Sequence, residues 1–480
     1  MLLITFYIIP VLLAAVIFMD ICNKINITHK GFMAFILLFL PHISIIIHLI
    51  DNRLLNKIDF GFIENTLPIG VVILFTYIFL KANFFPHMKK EIDEFRVRIL
   101  IGGRRLVLYS LYTGFVQIIF YLFASGFIKK AEIPKSIMIM DIIVTILILI
   151  IFYINGMIRI LLVSKRINII KKTIAVSTMF IPVVNIPVML YACGAAKEEI
   201  EHECYRVVKH NMRIESQVCN TKYPLVMIHG IGFKDYKYIN YWGRIPKELI
   251  RNGAKVYYGN QEAFGTVEYN SQDIKNKIFD IMDETGCEKV NIIAHSKGGL
   301  DARYMISKLG MEDHVASLTL VAVPNQGSKI IDFIYWLPKW FHQNAGKIID
   351  KYFRMIGDKN PDFFTSTRQI STHYCRKFNE EIKDSHKVYY QSYAVVMNNL
   401  FSDYVLTIPY LILKVLGGDN DGLVEVESAK WGEFQGIIKN NYNRGISHGD
   451  IIDLRKDCYK GFDVREKYIE IVADLKSRGY

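Results

Sequence analysis

Long apolar stretches in the first 196 residues constrain this chain more than any other feature of its sequence. A helix needs about 20 apolar residues to cross roughly 30 Å of hydrocarbon. Stretches close to that length recur at residues 2–19, 31–50, 67–85, 106–128, 138–163 and 174–196. They predict that residues 1–196 form an all-α bundle of about six transmembrane helices, with the membrane bilayer as a partner.

The first and the sixth stretch each have an alternative interpretation. The first begins directly with Leu2 and lacks a basic segment, which favours a membrane span over a signal peptide. The sixth contains Pro182, Asn185 and Pro187 but no charged residue, and proline is tolerated in lipid-embedded helices. We expect the sixth stretch to span the membrane; the alternative is a re-entrant segment.

The basic residues predict the orientation of these helices. With six spans, 14 Lys and Arg residues belong to one side of the membrane and 5 to the other. Because the more basic side usually faces the cytoplasm, we expect a multi-pass protein of the cell membrane whose residues after 196 are extracytoplasmic. A re-entrant sixth stretch would place those residues in the cytoplasm.

The charge distribution also argues against one class of partner. The chain carries 58 Lys and Arg residues against 46 Asp and Glu, a net charge of +12. Most of the excess lies between the apolar stretches, whereas a nucleic-acid-binding protein concentrates it on a folded surface. We therefore expect no nucleic-acid partner.

The ionisable residues within the apolar stretches that we consider as functional candidates are His42, His48, Asp141 and Arg159. Ionisable groups in membrane segments are often functional. Since the last three lie near predicted helix ends, we expect their polar groups to reach interfacial water along the side chain. We predict no ion or proton relay.

The sequence pattern changes after Lys197. Apolar runs shorten to five to eight residues and alternate with amphipathic stretches, as strands alternate with helices. Candidate strands cover 224–229, 255–258, 290–294, 317–323 and 387–396, and candidate helices lie near 244–252, 271–285, 298–308 and 464–478. We predict a connector over residues 197–220 and an α/β domain over 221–480, with a mostly parallel sheet covered on both faces.

Residues 290–300, Val-Asn-Ile-Ile-Ala-His-Ser-Lys-Gly-Gly-Leu, place a serine between an apolar strand and an amphipathic helix. This arrangement is typical of a nucleophile elbow, in which a sharp turn exposes the serine hydroxyl above the sheet. The turn requires small neighbours two residues away, and Ala294 and Gly298 satisfy that requirement. We predict that Ser296 is a catalytic nucleophile.

A second strand ends in His229-Gly-Ile-Gly. Acyl transfer needs backbone N–H donors directed at the developing oxyanion. We predict Lys297, the residue after the nucleophile, and Ile231 as the two donors. Gly230 and Gly232 allow the loop to adopt the unusual backbone dihedral angles that this requires. The alternative is that this segment is only a tight turn at the end of a strand.

Serine also needs a general base that a carboxylate orients. In this fold class the acid follows the serine and the histidine follows the acid. Within Gly-Asp-Asn-Asp-Gly-Leu-Val, residues 418–424, we predict Asp421 as the acid, with Asp419 as its competitor. His448 is the histidine that follows and is the predicted base.

At these residues the chain resembles the Pseudomonas-type bacterial triacylglycerol lipases of the α/β-hydrolase superfamily. The resemblance covers roughly residues 220–455 and rests on motifs at 223–233, 241–246, 253–258, 289–299, 321–328, 420–424 and 447–450. It implies an α/β-hydrolase domain, a Ser296–Asp421–His448 triad and hydrolysis of esters with lipid-like acyl chains.

The resemblance also implies a possible site for a structural metal ion. In that family an aspartate two residues after the catalytic histidine helps to bind a structural Ca²⁺, and Asp450 matches that position. A second family aspartate lies some twenty residues before the triad acid, where Asp403 is roughly placed. Asn325 departs from the family, which usually has histidine there, and we expect an effect on loop packing. We expect no cofactor for catalysis itself.

Residues 329–358 contain Trp336 and Trp340 within apolar, amphipathic runs. We expect these residues to form a lid over an acyl-binding groove that opens on lipid. The alternative is a core helix with its aromatic face inward. The five cysteines after residue 200 fit no metal spacing, and we expect free thiols, or a Cys204–Cys219 bridge if that region is extracellular.

The leading hypothesis is a membrane-anchored serine lipase or esterase that hydrolyses carboxylic ester bonds of acylglycerol-type lipids through an acyl-enzyme. A second hypothesis keeps the triad in a phospholipase or an acyltransferase that acts on membrane lipids. A third is a non-catalytic membrane receptor or accessory protein with a hydrolase-like binding domain. A complete triad with oxyanion donors favours catalysis over binding.

Overall fold

The computed structural model describes residues 39–49, 66–84, 94–123, 128–129, 132–181, 183–233, 241–336 and 338–480. Contacts between Cα atoms divide the chain into two compact units, Met1–Val207 and Val208–Tyr480. We refer to them as the helical unit and the hydrolase unit. The candidate triad lies within the hydrolase unit.

The described part of the helical unit contains α-helices and no β-strand. After a 3₁₀ turn at Leu40–His42, the helices are α1 (Ile43–Leu49), α2 (Thr66–Phe84), α3 (Phe95–Phe123), α4 (Lys135–Val163), α5 (Ile169–Ser177) and α6 (Asn185–Arg213). The helical character predicted for this part of the chain is therefore confirmed where residues are described.

The predicted number of spans is not confirmed. In the described residues only α3 and α4 are long and apolar enough to cross a membrane. The stretch 2–19 and residues 31–38 lie outside the described residues. The apolar part of α2, Ile69–Phe84, is shorter than a full span.

The sixth predicted stretch, residues 174–196, does not form one helix. Helix α5 ends at Ser177 and α6 begins at Asn185. Pro187 lies in the first turn of α6, where its missing N–H breaks no helical hydrogen bond and its fixed φ favours a helix start. Asn185 and Pro187 signalled this break in the sequence, and the prediction of a span discounted them because the stretch carries no charged residue.

Helices α3 and α4 pack closely through two glycines. A Cβ atom at Gly156 would lie 2.8 Å from the carbonyl oxygen of Gly103, and one at Gly103 would lie 2.9 Å from the carbonyl oxygen of Gly156. Small residues allow helix backbones to approach in this way. The pair therefore fixes where the two long apolar helices meet.

The expectation that Asp141 reaches interfacial water is wrong. Its side chain is fully buried, and its Oδ2 atom accepts a hydrogen bond of 2.8 Å from the Tyr121 hydroxyl and lies 2.9 Å from His42 Nδ1. A buried carboxylate needs such partners. Asp141 is thus part of an internal polar network of the helical unit.

The hydrolase unit is built on a six-stranded sheet in which all paired strands are parallel, as predicted. The strands are β1 (Leu225–Ile228), β2 (Val256–Tyr258), β3 (Val290–His295), β4 (Val315–Val321), β5 (Tyr389–Val395) and β6 (Glu433–Ile438), in the order β2-β1-β3-β4-β5-β6. Five of these strands match the predicted segments. The sixth, β6, was not predicted.

Helices connect the strands. They are α7 (Ile245–Arg251), α8 (Val267–Thr285), α9 (Gly298–Lys308), α10 (Lys329–Tyr335), α11 (Lys339–Met355), α12 (Phe363–Arg368), α13 (Thr372–Glu381), α14 (Thr407–Leu416), α15 (Val426–Ala429) and α16 (Val464–Ser477). One hydrophobic core includes buried residues of α8 and α9, and a second includes those of α7 and α16. Both cores contain strand residues, so helices cover both faces of the sheet.

The cysteines of the described residues are free thiols. Cys204 and Cys219 do not form the bridge considered from the sequence. Burial raises the pKa of the Cys219 thiol to about 12, so this thiol stays protonated at neutral pH.

Candidate active site

Ser296 lies in a strained turn between β3 and α9. Its backbone φ is 53°, in the left-handed region that residues with a side chain rarely adopt. A Cβ atom at Gly298 would lie 2.3 Å from the carbonyl oxygen of His229, and one at Gly230 would lie 2.8 Å from Cβ of Ser296. Glycine at these two positions therefore allows the sharp turn to form against the end of β1.

Asp421 and His448 meet in the loops after β5 and β6. The Asp421 Oδ2 atom lies 2.7 Å from His448 Nδ1, and its Oδ1 atom accepts backbone N–H groups of Leu423 and Val424 at 2.9 and 2.8 Å. The backbone N–H of His448 also donates to the Asp421 carbonyl oxygen at 2.9 Å. These contacts fix the carboxylate against the imidazole.

The competing acid, Asp419, lies elsewhere. Its carboxylate is largely exposed and forms an ion pair of 2.5 Å with Lys414. Asp421, in contrast, is buried and contacts the His448 ring. The geometry therefore favours Asp421 as the partner of the imidazole.

Ser296 and His448 line the same cavity, which has a volume of about 300 Å³. Its walls are mainly apolar and include Ile231, Ile330 and Leu406. The structure thus brings the predicted serine, imidazole and carboxylate together, with the carboxylate behind the imidazole. A largely apolar cavity with a few polar groups at one place is typical of a small-molecule site.

The two predicted oxyanion donors lie in the turns that follow β1 and β3. Ile231 lines the cavity at the end of β1, and Lys297 directly precedes the first residue of α9. The Lys297 side chain is buried, and its Nζ atom lies 2.7 Å from Asp301. Burial raises the pKa of Asp301, and the nearby ammonium group opposes this rise.

Sequence reasoning assigned no role to His295 and Tyr241. The Tyr241 hydroxyl lies 2.6 Å from His295 Nδ1, and the His295 ring centroid lies 4.4 Å from that of His448. Burial, reinforced by His448, holds the pKa of His295 well below its usual range, so this imidazole is neutral. Both residues line the cavity and adjoin the predicted motifs, which was the signal available in the sequence.

The predicted lid residues lie on the surface. Trp336 follows α10 and is 86% exposed, and Trp340, in α11, is 64% exposed. The alternative of a core helix with its aromatic face inward is therefore wrong for these residues. The same connection contributes Ile330 and Ile331 of α10 to the cavity wall.

Sequence reasoning did not identify the apolar segment around α14. Val405 and Leu406, which precede this helix, line the cavity. On α14 itself, Ile408 and Val415 are 71% and 86% exposed. The run Thr-Ile-Pro-Tyr-Leu-Ile-Leu-Lys-Val-Leu was the signal that could have revealed it.

The residues expected to bind Ca²⁺ do not fit that ion. Asp450 Oδ1 lies 2.9 Å from Arg444 Nη2, and Asp450 Oδ2 accepts the backbone N–H of Ser447 at 3.1 Å. Asp403 forms an ion pair with Arg455. Calcium binds six to eight oxygen ligands, whereas guanidinium groups already occupy these two carboxylates.

Comparisons with known proteins agree with the fold. The sequence pattern of the family described as alpha/beta hydrolase fold matches residues 223–359. Triacylglycerol lipase 2 of Saccharomyces cerevisiae is 29% identical over 271 residues, which are 51% of this chain and 78% of the yeast protein. A triacylglycerol lipase of Vibrio cholerae is 35% identical over 115 residues, 24% of this chain and 36% of that protein. This chain therefore contains an alpha/beta hydrolase domain with triacylglycerol lipase homologues.

Solved structures also align with part of the chain. The Staphylococcus hyicus lipase shares 16% identity, covers 54% of this chain and 98% of its own, and has a TM-score of 0.42. The mature Bacillus licheniformis lipase BlEst2 shares 19% identity, covers 52% of this chain and 92% of its own, and has a TM-score of 0.40.

Proposed function

We propose that this protein is a membrane-anchored serine lipase or esterase of the Pseudomonas type that hydrolyses carboxylic ester bonds of acylglycerol-type lipids. The observation that carries the proposal is the convergence of three groups. Ser296 takes a left-handed backbone conformation at the end of β3, and His448 lines the same cavity with Asp421 paired to its ring. Lipase homologues of the hydrolase domain support the ester substrate class.

The reaction follows from the role of each group. The Ser296 hydroxyl oxygen attacks the ester carbonyl carbon while His448 accepts the hydroxyl proton, and Asp421 stabilises the imidazolium that results. The N–H groups of Ile231 and Lys297 stabilise the negative oxygen of the tetrahedral intermediate. His448 then returns the proton to the departing alcohol, which leaves an acyl group on Ser296.

Water completes the cycle. His448 accepts a proton from a water molecule, whose oxygen attacks the acyl carbon of the acyl-enzyme. The second tetrahedral intermediate collapses, the carboxylic acid leaves, and Ser296 regains its proton from His448. The same residues thus act twice, and no cofactor takes part in either half.

The surface near the cavity supports a lipid substrate. Trp336 and Trp340 on one side and Ile408 and Val415 on α14 present large apolar groups to the surroundings. Helices α10 and α14 also contact each other. We propose that residues 329–358, together with α14, form a lid whose apolar surface meets lipid when the cavity opens.

The helical unit provides the membrane anchor in this proposal. Helices α3 and α4 support membrane insertion by their length and apolar composition. The orientation depends on the sixth stretch, whose division between α5 and α6 favours the re-entrant alternative. Lys197, Arg206 and Arg213 then join the more basic side, so the positive-inside rule favours a cytoplasmic rather than an extracytoplasmic hydrolase domain.

The orientation can be tested with a reporter fused after Tyr480. Fusion of a fluorescent protein that matures in the cytoplasm should give a bright product, and fusion of a phosphatase that needs export should give an inactive one. The reverse pattern would support the extracytoplasmic location predicted from six spans. The same reporters fused after Val163, the last residue of α4, show on which side of the membrane that helix ends and so provide the reference.

Labelling of the intact protein by a fluorophosphonate probe tests catalysis. The wild-type protein should be labelled and Ser296→Ala should not, whereas Ser216→Ala, which changes an exposed serine, should label normally. Absence of labelling in a folded wild-type protein would contradict the proposal. A panel of triacylglycerols and phospholipids in nanodiscs then distinguishes a neutral lipase from a phospholipase.

A further inference from the structure

Two buried carboxylates lie beside the loop that carries His448. Asp450 follows the histidine by two residues and is 6% exposed, and Asp403, which lines the cavity, is 1% exposed. Asp450 Oδ2 accepts the N–H of Ser447, and the N–H of Asp450 donates to Ser447 Oγ at 3.2 Å. Asp450 therefore holds the turn in which His448 lies.

Buried carboxylates need a cation or several hydrogen-bond donors. Arg444 supplies a cation to Asp450, with Nη2 at 2.9 Å from Oδ1, and its guanidinium lies over the Tyr459 ring, 4.1 Å from the centroid. Arg455 supplies a cation to Asp403, which also accepts the N–H of Val405 at 3.0 Å. Each carboxylate thus has its own guanidinium partner.

A neighbouring pair extends this arrangement. The Arg244 guanidinium contacts both oxygens of Asp453, at 2.7 Å each. Asp457 lies 3.8 Å from Arg444. The cluster therefore contains four carboxylates, of Asp403, Asp450, Asp453 and Asp457, and three guanidinium groups, of Arg244, Arg444 and Arg455.

This composition disfavours a divalent cation. Three fixed positive charges already balance most of the negative charge, so a Ca²⁺ ion would be repelled by the guanidinium groups that it would have to displace. Arginine also remains charged at all accessible pH values, and its planar fork suits carboxylate oxygens. Leu454, which lies between the acidic residues and lines the cavity, offers no side-chain oxygen.

We propose that Arg444 and Arg455 take the place of the structural Ca²⁺ that the lipase resemblance implies, and that they make ester hydrolysis independent of divalent metal. The inference rests on the proposed function, because it concerns the loop of the proposed base. Arg444 holds the His448 turn through Asp450, and Arg455 holds the cavity wall through Asp403. Both are positioning residues, since neither is required to contact the reacting atoms.

Chelation of the intact protein in detergent is the first test. Between excess EGTA and about 1 mM Ca²⁺, the rate of hydrolysis of a soluble chromogenic ester should change by less than about twofold, and the thermal midpoint by less than about 2 °C. A loss of activity in EGTA that Ca²⁺ restores would overturn the inference. An inactive wild-type protein that is not labelled by fluorophosphonate would instead contradict the proposed function.

Substitution of Arg455 is the second test. Arg455→Met should lower kcat by at least about tenfold, because the catalytic groups lose alignment, and should change KM less, although Arg455 is also one of the residues that line the cavity. Arg455→Lys should recover part of kcat, whereas Arg251→Met, which changes an exposed arginine, should leave both constants unchanged. An unaltered kcat in a folded Arg455→Met protein would overturn the inference.

Calorimetric titration of wild-type protein with CaCl₂ keeps the inference testable if the Arg455 variants do not fold. No saturable heat below millimolar Ca²⁺ is the expected result. Saturable binding at micromolar concentration, lost in Asp450→Asn, would show that the carboxylates do bind the metal and would overturn the inference.

Discussion

The two units of the chain each contain a buried Asp–His pair among the described residues, and the pairs differ in what surrounds them. In the helical unit, Asp141 lies 2.9 Å from His42 and accepts the Tyr121 hydroxyl. In the hydrolase unit, Asp421 lies 2.7 Å from His448. The distances are similar, so distance alone does not distinguish a structural pair from a catalytic one.

The two pairs differ in what each imidazole ring contacts apart from its aspartate. His448 opens on a cavity that also contains Ser296, whereas the His42 ring packs on Phe120 with centroids 4.0 Å apart. Asp421 is fixed by backbone N–H groups of its own loop, and Asp141 by the side chain of another helix. An Asp–His pair is a candidate for catalysis when a nucleophile and a space for the substrate lie next to the ring nitrogen that does not face the aspartate.

The largest expected effect separates the two pairs by activity. Ser296→Ala or His448→Ala should each lower kcat by on the order of a million-fold, and the double variant should be little worse than either one. Asp141→Asn should leave kcat near the wild-type value, because Asp141 belongs to the other unit. The rate of ester hydrolysis by the purified proteins measures these effects. A comparable loss of kcat in Asp141→Asn would show that the two Asp–His pairs cannot be separated into a catalytic and a structural one.

A smaller effect is expected for the acid of the hydrolase pair. Asp421→Asn should lower kcat by about 10⁴-fold, because an amide cannot stabilise the imidazolium and favours the wrong tautomer of His448. Asp419→Asn, which changes the exposed competitor, is the matched control and should retain activity. If the two variants lost activity in the opposite order, the assignment of the acid would be wrong.

Packing of the helical unit predicts an effect on stability instead. Gly156→Val would place side-chain atoms against the Gly103 backbone and should destabilise the helices by about 1–3 kcal/mol or more. Gly194→Ala is the matched control, because a Cβ atom there has nothing within 4 Å. The four tryptophans all lie in the hydrolase unit, so circular dichroism should report the change and tryptophan fluorescence should not.

The smallest effect concerns pH. His295 stays neutral when folded, whereas in the unfolded chain it takes up a proton near pH 6.5. Stability of the hydrolase unit should therefore fall by up to about 1.4 kcal/mol per unit as the pH drops below about 6.5. This part of the slope should be absent in His295→Gln and present in His386→Gln, an exposed control. Urea unfolding followed by tryptophan fluorescence measures it, and identical slopes would contradict the assignment.

The sequence predicted the centre of the hydrolase sheet and its elbow because local signals agree there. Strand β3 is buried along its whole length, and Gly298 directly follows the turn. Strand β6 was missed because it lies at the edge of the sheet and only one of its six residues is buried, so it lacks a continuous apolar run.

Other features depend on contacts that are distant in sequence. The ion pair between Asp403 and Arg455 joins residues 52 positions apart, and the network of Asp141 joins three helical segments. Hydropathy predicted helices in the helical unit but not the break between α5 and α6, since an uncharged stretch long enough for a span looks the same whether its prolines lie inside one helix or between two. No local pattern encodes such pairings.

In the hydrolase unit, the reacting groups and much of the apolar cavity wall come from different segments of the chain. Ser296, Asp421 and His448 come from the loops after β3, β5 and β6, whereas Ile330, Ile331 and Ile370 of the apolar wall come from the long connection between β4 and β5. In the proposed lipase, exchange of that connection for another sequence should therefore change which acyl chains the cavity accepts, while β3, β5 and β6 still hold the reacting groups. The proposed reaction would then stay the same while the shape of the site that receives the substrate changes.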